Sequence, residues 1–384
     1  MIYLDHNATT PLCPEAREAM LPWLHDLTGN PSSIHSQGRR SRAMVDESRE
    51  RIAALLKAKP HEIIFTSGGT ESCNLALLGL ARRHRTSLKT ILLTAASEHH
   101  AVLHTMRSLA SREGFGLVEL PVDAKGMIAA DSLLAAMCSE TLLTSVMIAN
   151  NETGIIQNVA ELATLARERG VLFHTDAIQA FGKITCQPRD LGVDALSAAA
   201  HKFYGPPGAG FLWLRSGVTI DAIQHGGIHE NERRPGTENV AAIAGMAAAA
   251  EVAFRELETT GKPESLRQDH LRNRLWLGIN RIDPSAVLNS NGVSVLSNTL
   301  NVSFPGCDGE TLLMGLDLEG ICASSGSACM VGSIRSSHVL LAMGVPPDLA
   351  QATVRFSLGR STTSDEIDAT VNALQRVLAR QRRK

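Results

Sequence analysis

Residues 63–83 read IIFTSGGTESCNLALLGLARR, and this stretch decides the fold class. The apolar and β-branched residues 63–66 predict a strand, the pair Gly68-Gly69 predicts a tight turn, and the pattern from Asn74 to Arg83 predicts a helix. A short apolar run followed by a helical stretch recurs further along the chain. The sequence therefore predicts an α/β protein with a mostly parallel sheet flanked by helices.

The other elements follow from the same patterns. Further strands are predicted at 90–94, 117–120, 145–149, 172–175 and 210–214, and further helices at 47–57, 132–138 and 159–169. In open α/β sheets, ligands bind beyond the carboxyl ends of the strands. Polar residues that directly follow these strands are therefore the first candidates for a functional site.

The chain changes character near residues 255–263, which are polar and include Gly261 and Pro263. Beyond them, strands are predicted at 299–304 and 353–357, and a last helix from 364 to about 380. We expect a large domain formed by residues 13–257. A smaller α+β domain is expected from residues 258–384 together with residues 1–12.

Composition excludes several classes of protein. The 37 basic and 39 acidic residues nearly cancel, which gives no indication of binding to nucleic acid or to an anionic membrane. No secretory signal or run of 18 apolar residues is visible, so a cytoplasmic location without membrane contact is expected. The seven cysteines lack C-x-x-C pairs, which disfavours a disulfide framework or a structural metal site.

Three polar clusters follow predicted strands in the first half of the chain. In Thr66–Glu71, Gly69 and Thr70 could bind phosphate at the start of a helix, although an ordinary capped turn has the same pattern. His99, in Glu98-His99-His100, could stack on a planar ligand or carry protons; a solvent-facing histidine and a metal ligand are the alternatives. Asn150-Asn151 could serve a site or only form a turn.

Two more clusters follow in the next hundred residues. Asp176 ends an apolar strand, where a carboxylate needs a partner such as a cationic ring nitrogen or the N–H groups of a helix start. Lys202 lies between small residues and a Gly/Pro turn; burial would make its amine suitable for a Schiff base, although most lysines lie on the surface. Taken in order, the five clusters indicate a pocket for pyridoxal 5'-phosphate (PLP).

With these clusters, further motifs carry a resemblance to a known family. They are YLDHNATTP at 3–11, GNPSS at 29–33, RPGTEN at 234–239, ASSGSAC at 323–329 and VRFSLGR at 354–360. The sequence resembles the cysteine desulfurases of the NifS/IscS type, in the class V aminotransferase group of fold type I PLP enzymes. The resemblance covers nearly the whole chain.

The resemblance implies a role for each matching residue. It makes Lys202, His99 and Cys329 catalytic and gives L-cysteine as the substrate, L-alanine as the product and a persulfide on Cys329. It also implies a homodimer, a mobile loop at about 322–334 and an unidentified acceptor protein in iron–sulfur cluster assembly, tRNA thiolation or DNA sulfur modification. Cofactor binding is assigned to Lys202, Gly69, Thr70, His99, Asp176, Gln179, His201 and Thr237 (the last across the dimer), and the substrate carboxylate to Asn151 and Arg355.

The sequence departs from the family at two places. Ala199 stands where a serine usually binds the phosphate, three residues before Lys202, and residues 330–338 differ from the usual stretch. Three alternatives remain: a selenocysteine lyase or other PLP β-lyase that does not need Cys329, an aminotransferase, and a scaffold protein without activity. The Ser-Gly-rich motif ending in Cys329 disfavours the second, and intact Lys202 and Asp176 disfavour the third.

Overall fold

The computed structural model describes residues 1–26, 28–258, 263–325 and 336–382. Within these ranges the chain forms twelve strands and thirteen α-helices. The strands are β1 Ile2–Tyr3, β2 Ile63–Thr66, β3 Ile91–Ala95, β4 Gly116–Leu120, β5 Thr141–Ser145, β6 Leu172–Asp176, β7 Ala195–Ala199, β8 Gly210–Leu214, β9 Val287–Leu288, β10 Thr299–Ser303, β11 Ile321–Cys322 and β12 Thr353–Ser357.

Helices cover the sheet and connect most of its strands. They are α1 Pro14–His25, α2 Ser36–Leu55, α3 Gly69–His84, α4 His100–Glu113, α5 Ala130–Ala136, α6 Val159–Glu168, α7 Pro188–Leu191, α8 Val240–Glu258, α9 Glu264–Ile282, α10 Gly309–Leu318, α11 His338–Ala342, α12 Pro347–Gln351 and α13 Ser364–Gln381. None of the helices in the described ranges combines the length and apolar character required to cross a lipid bilayer.

The central sheet has seven strands in the order β2-β8-β7-β6-β5-β3-β4. Its neighbours pair in parallel except around β8, which runs antiparallel to both β2 and β7. Alternate residues of each strand face opposite layers: Phe65 and Leu93 join the larger core, whereas Ile64 and Leu92 pack in the core of α3 and α4. The predicted α/β class with a mostly parallel sheet is confirmed.

One predicted strand was placed wrongly. The prediction gave 145–149, whereas β5 covers Thr141–Ser145. Every residue from Thr141 to Asn150 is buried, so the apolar pattern has no break that could mark where the strand ends. Pairing with β3 and β6 sets the end at Ser145. The residues after it turn into the loop that contains Asn151.

A second hydrophobic core joins the two ends of the chain. Leu4 packs in it with residues of α9, α10, α13, β10 and β12. β1 pairs in parallel with β11, and β12 pairs antiparallel to β10. We propose that this core marks the smaller domain, made of residues 1–12 and 258–384. Val339 and Met343 of this part pack instead in the larger core, so the two units share a contact surface.

Candidate active site

A cavity of about 390 Å³ opens where strands of the central sheet end and the N-terminal segment crosses over. Pockets for small molecules and cofactors fall in this range of volumes. Of the eleven residues predicted for the site, nine line this cavity. They are Gly69, Thr70, His99, Asn151, Asp176, Gln179, His201, Lys202 and Arg355.

Two predicted site residues are not placed in this cavity. Thr237 is exposed and does not line it. Cys329 lies outside the described residues. The last described residues before it lie close to the site. The main-chain N–H of Ser324 donates to the carbonyl of Arg355 at 3.2 Å, and the N–H of Arg355 donates to the carbonyl of Ser324 at 2.6 Å.

Lys202 lies in a short 3₁₀ turn, residues Ala200–Lys202, directly after β7. Its Nζ donates to the main-chain oxygens of Asn7 at 2.6 Å and Ala8 at 2.7 Å. The ammonium is therefore directed away from the surface and into the cavity wall. The N-terminal segment that receives it is nearly two hundred residues away in sequence.

Asp176 ends β6 and is buried at the base of the cavity. Its carboxylate accepts from the main-chain N–H of Ile178 at 2.8 Å and contacts the thiol of Cys73 at 3.8 Å. Burial raises the pKa of Asp176 to about 6, although these contacts and the positive charge of Lys202 act in the opposite direction. A cationic ligand group would supply the partner that this carboxylate needs.

His99 is the N-cap residue of α4, and its Nδ1 accepts from the main-chain N–H of Ala101 at 3.1 Å. Burial and the nearby charge of Lys202 lower the pKa of His99 to about 4, so the ring is neutral at pH 7. Because Nδ1 accepts a hydrogen bond, the proton of the neutral ring is assigned to Nε2. His99 thus offers a flat ring with one N–H group.

The turn between β2 and α3 lets main chain approach a ligand closely. A Cβ atom added at Gly69 would lie 2.3 Å from Cδ1 of Ile178, so any larger residue here would force the Ile178 side chain to move. The first N–H groups of α3 have no partner within the helix, and the helix dipole favours an anion at this end. Thr70 adds an exposed hydroxyl at the cavity rim.

The structure also shows what replaces the missing serine. Ala199 lines the cavity with its methyl group. Ser197, the nearest hydroxyl on the same strand, instead bonds to Nε2 of His174 at 3.0 Å and is fully buried. Ser197 therefore cannot serve in place of a serine at position 199. Of the side chains near this end, His201 and Thr70 remain to bind an anion, with the N–H groups of α3.

The two residues predicted to bind a carboxylate lie side by side. Arg355 of β12 is buried, and it donates to the main-chain oxygen of Asn151 at 2.8 Å and to Asp5 at 2.7 Å. Asn150 forms the local turn by accepting from Glu152 and Thr153, which leaves Asn151 at the cavity. The side-chain oxygen of Asn151 has no hydrogen-bond partner within the described residues.

Sequence reasoning missed Asn7, which contacts most parts of the site. Its carbonyl accepts from Lys202 and Gln179, and its side-chain nitrogen donates to Thr299 at 2.9 Å. Asn7 lies within the motif at 3–11 that supports the family resemblance. A local sequence pattern, however, cannot show that Asn7 contacts Lys202, which lies far away in the sequence. The interaction depends on the tertiary fold alone.

These residues fit PLP. A buried carboxylate with a raised pKa faces the cavity and would be stabilised by a pyridinium nitrogen. Gly69 and Thr70 line the cavity at the N-terminus of α3, where the free N–H groups of the helix suit a phosphate. Lys202 supplies the amine between these two ends. These residues would thus provide partners for the ring nitrogen, the phosphate and the amine-reactive group of this cofactor.

Comparisons with known proteins agree with this geometry. The family model described as aminotransferase class-V matches residues 2–370. A protein named cysteine desulfurase IscS from Dictyoglomus turgidum is 45% identical over 99% of this chain and 95% of its own length. A solved NifS-like protein has a TM-score of 0.91 at 36% identity, covering 98% of this chain and 99% of its own.

A further solved structure, described as SspA in complex with cysteine, has a TM-score of 0.82 and 34% identity, and covers 93% of this chain and 99% of its own. These matches extend over nearly the full length of each protein, and they agree with the PLP site described above. The chain belongs to the class V aminotransferase family and, within it, to the PLP-dependent cysteine desulfurases of the NifS/IscS type.

Proposed function

We propose that this chain removes sulfur from L-cysteine, releases L-alanine and holds the sulfur as a persulfide on Cys329. The observation that carries the proposal is the convergence of nine predicted residues, from separate segments of the chain, on one cavity. PLP, when bound, provides an electron sink for the reacting carbon. The chain's own residues would bind the substrate, move protons and accept the sulfur.

In this proposal, Asn151 and Arg355 hold the carboxylate of L-cysteine. The ion pair with Asp5 neutralises the buried guanidinium of Arg355 before the substrate arrives. The planar geometry of the guanidinium suits the binding of a carboxylate. Lys202 takes the proton from Cα, and the N–H of His99 is available for a second proton transfer. The ring of His99 would stack on the cofactor, Asp176 would pair with the ring nitrogen and Gln179 with the ring oxygen.

Sulfur transfer then needs a thiolate, since the thiol is a poor nucleophile. The thiolate of Cys329 would attack the substrate sulfur and break the Cβ–S bond, whose electron pair stays with the carbon skeleton. Cβ would then gain a proton to become the methyl group of alanine, and Lys202 would return a proton to Cα. The contact between Ser324 and Arg355 supports this step, because it attaches the chain shortly before Cys329 to the carboxylate-binding strand.

The dimer and the acceptor belong to this proposal as well. Thr237 is exposed on the single chain, which is consistent with Thr237 of one protomer reaching the phosphate of the other. Arg234 pairs with Glu71 at 2.7 Å and so attaches the segment before Thr237 to the first turn of α3. A separate acceptor protein would take sulfur from Cys329. The cytoplasmic location stays a prediction.

Product analysis tests the proposed function. We expect the PLP-loaded protein, incubated with L-cysteine and a thiol reductant, to release alanine and sulfide in equal amounts. D-cysteine serves as the control substrate, because its carboxylate and Cα proton cannot both be placed correctly. A β-lyase would give pyruvate and ammonia in place of alanine, and this outcome would contradict the proposal.

Asp176→Asn should have opposite effects on stability and on activity. Because the folded pKa is raised from 3.8 to about 6, the cofactor-free protein loses stability as the pH rises between these values. That loss is on the order of 2–3 kcal/mol at neutral pH, and the neutral amide should remove it. Losing one partner of a buried charge pair should meanwhile reduce turnover by about 100-fold or more.

Two measurements check this prediction. Thermal melting of the cofactor-free protein at pH 7 should shift upward in Asp176→Asn, and steady-state alanine formation should fall. Asp123→Asn, at an exposed turn far from the cavity, is the control. An Asp176→Asn variant with wild-type turnover would show that this carboxylate does not support the cofactor.

A further inference from the structure

Lys183 is a second lysine next to the site, and no motif in the sequence predicts a role for it. Its Nζ donates to Oε1 of Gln179 at 2.8 Å and to Oδ1 of Asn7 at 3.3 Å. The residue as a whole is half-buried. Desolvation, with the positive charges of Lys202 and Arg355, lowers the pKa of its ammonium to about 7. The surroundings of Lys183 therefore disfavour the charged form of its amine.

The partners of Gln179 fix which way its side-chain amide points. In its charged form Lys183 can only donate, so the atom that faces this ammonium must be the amide oxygen of Gln179. A main-chain carbonyl can only accept, and the carbonyl of Asn7 accepts a hydrogen bond from the side-chain nitrogen of Gln179 at 2.9 Å. The two contacts independently require the same orientation. The second hydrogen of that nitrogen remains available to the cavity that Gln179 lines.

Asn7 connects this arrangement to Lys202. Its side-chain oxygen accepts from Lys183 and from Asn298 at 3.0 Å, while its carbonyl accepts from Lys202 at 2.6 Å. Lys183 therefore contacts both Gln179 and Asn7, and Asn7 is the residue whose carbonyl accepts from the cavity amine. It does so without lining the cavity itself.

We propose that Lys183 is a positioning residue, which holds the amide of Gln179 so that it presents an N–H donor to the anionic ring oxygen of bound PLP. The proposal rests on the role given above to Gln179. Without Lys183, the amide could rotate and present its oxygen, which would repel an anionic partner. A residue that fixes the orientation of a ligand-binding group affects binding without touching the ligand.

Binding of PLP to the cofactor-free protein tests this role. Lys183→Met removes the donor at similar length, whereas Lys183→Gln restores an N–H donor without the charge. We expect the Kd for PLP to rise about tenfold in Lys183→Met, as for the loss of one good hydrogen bond, and to recover in Lys183→Gln. Lys89→Met is the matched control, because the Lys89 ammonium likewise donates to a main-chain oxygen, that of Thr141, and does not line the cavity.

Thermal melting separates positioning from a structural role. The cofactor-free Lys183→Met protein should melt no lower than the wild type, since methionine avoids the desolvation that lowers the pKa of Lys183. A lower melting temperature that accounts for the weaker binding would overturn the proposal. So would a Kd for PLP equal to that of Lys89→Met.

A double-mutant cycle with Gln179→Ala shows whether Lys183 acts through that residue. In the Gln179→Ala background, Lys183→Met should cause no further loss of PLP affinity. An undiminished tenfold loss in that background would overturn the proposal. If Gln179→Ala alone left PLP affinity unchanged, the role of Gln179 in the proposed function would be the part that fails.

Discussion

Lys202→Ala is expected to abolish the formation of alanine and sulfide from L-cysteine. The variant loses the covalent attachment of PLP and the amine that takes the Cα proton. General-base catalysis alone contributes about 10²–10⁴-fold, so turnover should fall by at least that factor. The bonds from Nζ to the carbonyls of Asn7 and Ala8 would also be lost, although the carbonyl of Asn7 would still accept from the amide of Gln179.

Absorption spectra and product assays measure this effect together. The variant should still bind PLP weakly through its phosphate and ring contacts, but the cofactor should be removed by gel filtration. Lys125→Ala, in an exposed turn, is the control and should behave like the wild type. Retention of PLP through gel filtration and undiminished turnover in Lys202→Ala would show that a different lysine carries the cofactor.

Cys329→Ser is expected to stop sulfur transfer while leaving PLP binding intact. A serine hydroxyl remains protonated near neutral pH and is a much weaker nucleophile than a thiolate, so alanine formation should fall by about 100-fold or more. Since Cys329 is not assigned to cofactor binding, the absorption of bound PLP should be unchanged. Loss of activity with retained cofactor would distinguish this residue from Lys202.

Mass spectrometry identifies the sulfur carrier directly. After brief exposure to L-cysteine without reductant, the wild type should gain one sulfur atom on the peptide that contains Cys329. Cys138→Ser is the control, because Cys138 is an exposed thiol far along the chain from the motif. Wild-type rates of sulfur release from Cys329→Ser would instead favour a β-lyase or selenocysteine lyase mechanism.

The fold was predictable because its decisive signals are local. An apolar run followed by glycines and a helical pattern predicted β2 and α3, and the run at 210–214 predicted β8 with its observed bounds. The end of β5 was not predictable, since the buried residues continue past Ser145 into a loop. There the partner strands, and not the sequence around position 145, decide where the ladder stops.

The functional site, too, was predictable only where its signals are local. Residues after parallel strands were predicted to meet, because such strands end at one edge of the sheet, and Asp176 and His99 do line one cavity. Asn7 and Lys183 were not assigned, since each depends on contacts with distant parts of the chain. Thr237 and Cys329 stay predictions, one awaiting a second protomer and the other lying outside the described residues.

The pairing of β1 with β11 also governs when the enzyme becomes active during its synthesis. Ile2 pairs with Ile321. Asn7, whose carbonyl accepts from Lys202, is held against β10 and β12 by hydrogen bonds with Thr299 and Ser357. During synthesis, residues 2–7 must therefore wait without these partners until residues 299–357 have been made. Translation products that stop before these strands would therefore lack the complete site.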